Sequence, residues 1–148
     1  MYTQISFILS GMVLMSSLAY SQDQPQPKDI RKAILGEWVF YRNTQNGRFK
    51  IIKEHDGNKT VLSTYDPNGT LVYAHQSDYE VDDAGGVNIF RYRNRTTLVG
   101  PDAGASDPNV KAYVFRIEKD QFIEVHNVLK GDEGLPRLTV WKRLGPDD

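Results

Sequence analysis

The sequence predicts an all-β domain, an eight-stranded antiparallel up-and-down barrel introduced by one short helix. Three features of the chain lead there. From Trp38 onward the apolar residues recur with a period of two, the pattern of strands with one buried face. Turn residues bound each run, and Asn46-Gly47 and Asp66-Pro67-Asn68-Gly69 are the strongest hairpin signals. Most connections are short, which favours antiparallel neighbours, and a sheet closed on itself has no exposed edge.

Composition narrows the possible functions. The 148 residues suffice for one domain with its own core. A formal net charge of −1 gives no basic field to recruit nucleic acid or an anionic membrane. The chain has no cysteine, which excludes disulfides, thiolate metal sites and cysteine nucleophiles.

Residues 5–19 are apolar with small residues interspersed, and the first charged side chain is Asp23. This run is shorter than the roughly 20 residues of a spanning helix. It ends Leu18-Ala19-Tyr20-Ser21, with small side chains at the −3 and −1 positions of a cut after Ser21. Residues 1–21 therefore read as a secretory signal peptide, although no Lys or Arg precedes the apolar run. The expected protein is secreted or periplasmic, with no stable membrane span after cleavage. Residues 22–28, rich in Gln and Pro, read as a flexible tether, and residues 29–148 as the barrel domain.

Within that domain Asp29 can cap one or two helical turns, with Ile30 and Ile34 on one face. Gly36 allows a sharp turn into the first strand, Trp38-Val39-Phe40-Tyr41. Strands are expected at residues 49–54, 60–65, 71 to about 81, and 87–93. Residues 100–109, built of Gly, Pro, Ala and Asp without apolar period, form the longest gap. At about ten residues it approaches the length at which loops are functional or mobile. Residues 110–118, 121–129 and 137–143 complete the eight.

The two ends of the barrel carry a recognisable pattern. Gly36 and Trp38 open the first strand, and Arg143 on the last can cover the indole by cation–π attraction and packing. Between them stand Lys53-Glu54-His55-Asp56-Gly57, the Tyr65-Asp66-Pro67-Asn68-Gly69 hairpin and Ser77-Asp78-Tyr79. With these motifs, residues 34–144 resemble the lipocalin-like domains of small secreted bacterial proteins. Ser77-Asp78-Tyr79 departs from the Gly-Thr-Tyr usual there. The resemblance implies a calycin-type barrel with room for a ligand and a short helix plugging one end; it carries no catalytic set.

Candidate ligand-binding residues follow from the period of two. Leu71, Tyr73, His75, Ser77 and Tyr79 share one face of the fourth strand. Facing inward, Tyr73, His75 and Tyr79, with Phe40 on the first strand, would form an apolar wall with polar tips. Facing outward, they would be ordinary sheet surface with Val72 and Ala74 inside. Arg91, Arg93 and Arg95 likewise share a face, able to hold a carboxylate or phosphate at the barrel mouth, or to be a solvated strand face.

Metal and catalytic signals are sparse. His55, beside Glu54 and Asp56 at a turn, is expected to be exposed. His75 or His126 could serve as an axial haem ligand by analogy with other barrels. Asp82, Asp83, Asp102 and Asp107 lack the alternation of a calcium loop. No serine elbow, zinc-binding His-Glu-x-x-His or phosphate-cradling loop occurs, so no catalytic residue, metal or cofactor is expected. The sequence favours a carrier of a small apolar or amphiphilic molecule. The alternatives are a filled barrel that docks an envelope protein, and an enzyme around His75 and Tyr79.

Overall fold

The computed structural model describes residues 29–145, and the expected signal peptide and tether lie outside them. Asp29 caps a single helical turn, α1 (Ile30–Ala33), its carboxylate accepting from the Lys32 backbone N–H at 3.2 Å. Strands β1 (Gly36–Thr44), β2 (Gly47–His55), β3 (Lys59–Tyr65) and β4 (Leu71–Asp83) follow. After them come β5 (Asn88–Val99), β6 (Ser106–Asp107), β7 (Lys111–Glu118), β8 (Gln121–His126) and β9 (Arg137–Arg143).

All pairings are antiparallel. Strand β4 joins β5, and β1 joins β9, so the ring of eight closes in up-and-down order. The ninth strand, β6, is a two-residue addition on the edge of β5. It belongs to the segment expected to be an open loop. That segment folds back on β5 instead: Thr97 donates to the Ala105 carbonyl at 2.9 Å and Gly104 donates to that of Thr97 at 2.8 Å. Backbone pairing overrides the lack of apolar pattern there, and β5 runs well past the expected end at Arg93.

First and last strands meet as the sequence implied. Trp38 pairs with Arg143 and Val39 with Lys142. The Arg143 guanidinium lies 4.1 Å from the centre of the Trp38 ring. Its two terminal nitrogens donate to the carbonyls of Leu35 at 2.9 Å and Ala33 at 2.7 Å. Trp38 Nε1 donates to the Ile34 carbonyl at 2.8 Å. One cation thus closes the barrel and satisfies the carbonyls at the end of α1, which a four-residue helix cannot satisfy itself.

The two halves of the barrel differ. At the α1 end, Ile34, Trp38, Val81, Phe90, Phe115 and Phe122 pack into a dense core, with Ile30 and Ala33 of the helix against it. Four hairpin connections crowd the other end. There the β1–β9 ladder is missing: it holds for two residue pairs, against nine between β1 and β2. Above the Trp38–Arg143 pair the wall parts towards the mouth.

Candidate functional site

The open half of the barrel encloses a cavity of about 670 Å³. Alternation along each strand builds it. Phe40 and Arg42 of β1, Ile51 and Lys53 of β2, and Tyr73, His75 and Ser77 of β4 all point inward. Opposite them stand Tyr113 of β7, Glu124 and His126 of β8, and Arg137, Thr139 and Trp141 of β9. Among the sequence candidates, Phe40, Tyr73 and His75 are thereby brought together on one wall.

Tyr79, Arg91 and Arg93 lie elsewhere. Tyr79 stacks on Phe90, ring centres 4.9 Å apart and planes within 9°, next to the closed end. Arg91 and Arg93 line a shallow groove on the outer wall, and Arg91 Nε donates to Asp82 at 2.7 Å. The three arginines therefore do not share a face. Asn94 is the reason: it adopts φ +52°, and β5 gains a residue against β4 between the pairs Gln76–Thr96 and Asp78–Arg93. This bulge reverses the alternation, so Tyr92 and Arg95 both face the cavity while Arg91 and Arg93 face out.

At the floor of the cavity is a buried ion pair that sequence reasoning missed. Lys53 Nζ donates to Glu124 Oε1, and both side chains are nearly fully enclosed. His126 Nε2 lies 3.2 Å from the other carboxylate oxygen. The ammonium also sits 4.3 Å from the centre of the Trp141 ring. Burial alone would raise the Glu124 pKa; the Lys53 charge and the hydrogen bonds from His126 and Lys53 outweigh it and hold the carboxyl at about 2. Burial pulls Lys53 below the usual lysine value, and Glu124 resists that pull. Burial and the adjacent Glu124 push the Tyr113 phenol well up, keeping it protonated.

The signal for this pair was present but needed a register. Ile51 and Phe122 are core residues, and Lys53 and Glu124 each stand two residues further on the same face.

The histidines divide. His55 is not exposed, as its polar neighbours suggested, but 1% accessible among Tyr79, Phe90 and Phe122. It follows the inward alternation of Ile51 and Lys53, and only the residue after it enters the turn. Burial, with the Lys53 charge, drops its pKa to about 3. His75 is lowered to about 4, by burial first and then by Arg95, Lys53 and Lys111. Both are neutral near pH 7. Among the described residues no group of three His, Asp or Glu side chains is placed to hold a metal.

Around the upper cavity, Arg95 donates through Nη2 to the Tyr73 hydroxyl. Its Nε, together with His75 Nδ1, Ser77 Oγ and Trp141 Nε1, is buried without a hydrogen-bond partner. These four side chains all line the cavity. Buried polar groups are ordinarily satisfied by protein or by something bound.

No family model, curated protein or solved structure matches this chain.

Proposed function

We propose that the protein is an exported, lipocalin-like carrier that holds one small amphiphilic molecule in the open half of its barrel. One observation carries this: a cavity of about 670 Å³, far above the roughly 30 Å³ share of a single water and within the usual span of small-molecule sites. Its wall supports the amphiphilic reading, since Phe40, Tyr73, Tyr92 and Trp141 supply ring surface and the unpartnered polar atoms supply contacts. The parted β1–β9 seam beside the cavity supplies access. Export is supported by the apolar run at residues 5–19 and the small residues at Ala19 and Ser21.

Native mass spectrometry of protein purified gently from its own envelope fraction tests both parts. The expected result is a chain beginning after Ser21 that carries a reproducible small-molecule adduct, lost on denaturation. A bare mass from every preparation would overturn the carrier reading. An intact N-terminus would overturn export by a cleaved signal.

A further inference from the structure

The cavity has a charge that the whole chain does not. The protein carries a formal −1, yet four cationic side chains, Arg42, Lys53, Arg95 and Arg137, line the cavity against one carboxylate, Glu124. With histidines counted neutral, the lining holds an excess of three positive charges. Glu124 is already committed to Lys53. Among the described residues Arg42, Arg95 and Arg137 have no carboxylate partner, whereas the outward-facing Arg91 and Arg116 are each paired with an acid.

The unpaired charges are concentrated. Arg95 and Arg137 line the same cavity as Tyr92, and both act on its phenol, as do Glu124 and the Asp107-paired Lys111. Arg95 is half-buried, and its hydrogen bond goes to a neutral phenol, Tyr73. Leaving a desolvated guanidinium with only a neutral partner is unfavourable, and an incoming anion relieves that cost. The neighbouring His75 is neutral and takes no part in balancing the charge.

We infer that the occupant of this cavity is an organic anion, its charged group between Arg95 and Arg137 and its planar apolar body against Tyr92, Phe40 and Trp141. The inference rests on the carrier reading above and adds the ligand's charge. Arg42 and Arg137, exposed at the mouth, draw the anion in, while Arg95 and the rings hold it.

A matched pair of fluorescent probes tests it: anilinonaphthalene sulfonate, and its neutral parent N-phenylnaphthylamine. The folded protein is expected to bind the sulfonate about tenfold more tightly than the parent, although the parent is the more hydrophobic. That preference should shrink as salt rises from about 20 mM to about 0.5 M. R137Q, at an exposed position that does not touch the core, should weaken the preference, and R95Q with R137Q should abolish it. R95K should retain part of it, and near-UV circular dichroism checks that each variant is folded.

A parent that binds folded wild-type protein as well as the sulfonate overturns the anion inference and leaves the carrier standing. So does a preference that survives both substitutions. Binding of neither probe overturns the carrier reading and the anion inference together.

Discussion

Lys53 and Glu124, 71 residues apart in sequence, form an ion pair inside the barrel, where the dense core meets the hollow half. Two charges taken out of water are tolerated there because each satisfies the other and His126 completes the carboxylate. Removing one partner leaves the other buried and uncompensated. Lys53→Met or Glu124→Leu alone should each lower stability by about 3–5 kcal/mol in urea melts. The double variant should recover most of that loss. A double variant no better than the worse single one would show that the pair does not act as a unit.

Acid should unfold the protein in a defined order. In the unfolded chain His55 takes up a proton near its ordinary value of 6.5, and in the folded protein only near 3. Between those values unfolding binds a proton, so lowering pH favours the unfolded state. His75 acts in the same direction between 6.5 and about 4, more weakly because it is partly open to solvent. Glu124 adds a further loss between its ordinary 4.5 and about 2. Stability should therefore fall as pH drops below about 6.5, with His55 contributing up to about 1.4 kcal/mol per pH unit. His55→Phe should flatten the curve between pH 6.5 and 4.5; an unchanged slope there would remove His55 as its source.

The closure at Trp38 should be energetically central. Trp38 is fully buried, and its loss opens a large cavity beside Phe122, 5.5 Å away between ring centres. Trp38→Ala is expected to cost about 3–5 kcal/mol in denaturant melts. Arg143→Lys should cost about 1–2 kcal/mol, because an ammonium cannot lie flat on the indole and reach both carbonyls at once. A loss below about 1 kcal/mol for Trp38→Ala would contradict its role in holding the barrel shut.

Gly36 answers to the same closure. It adopts φ +100°, and a side-chain carbon there would meet Arg143 Nη1 at 3.3 Å. Gly36→Ala should cost about 1–3 kcal/mol, most of it backbone strain. Combining it with Arg143→Ala should leave most of that cost in place, since strain outlasts the removed contact.

Asn94 sets which arginine enters the cavity. Its left-handed backbone makes the bulge, and its side-chain amide donates to Asp78 at 2.7 Å on the surface. Asn94→Gly should change stability by less than about 0.5 kcal/mol, since glycine accepts that conformation freely. Asn94→Val should cost about 1–2 kcal/mol in the same melts, since a β-branched side chain resists it. Equal effects of the two substitutions would show that the bulge does not depend on this residue's conformation.

Much of the architecture was legible because it depends on local chemistry. The period of two, the turn residues and Asp29 determined an all-β chain with a capped opening turn; the Trp38–Arg143 spacing pointed to how its ends meet. Only pairing across strands decided the rest. The segment after Val99 pairs back onto β5 because its backbone groups find partners there, which no apolar pattern announces. His55 is buried because inward alternation along β2 continues to the last residue before the turn. Arg95 rather than Arg91 or Arg93 faces the cavity because one extra residue at Asn94 inverts the alternation of the positions that follow it. The Lys53–Glu124 pair exists because two distant strands meet in one register, and a sequence holds no record of register until the barrel closes.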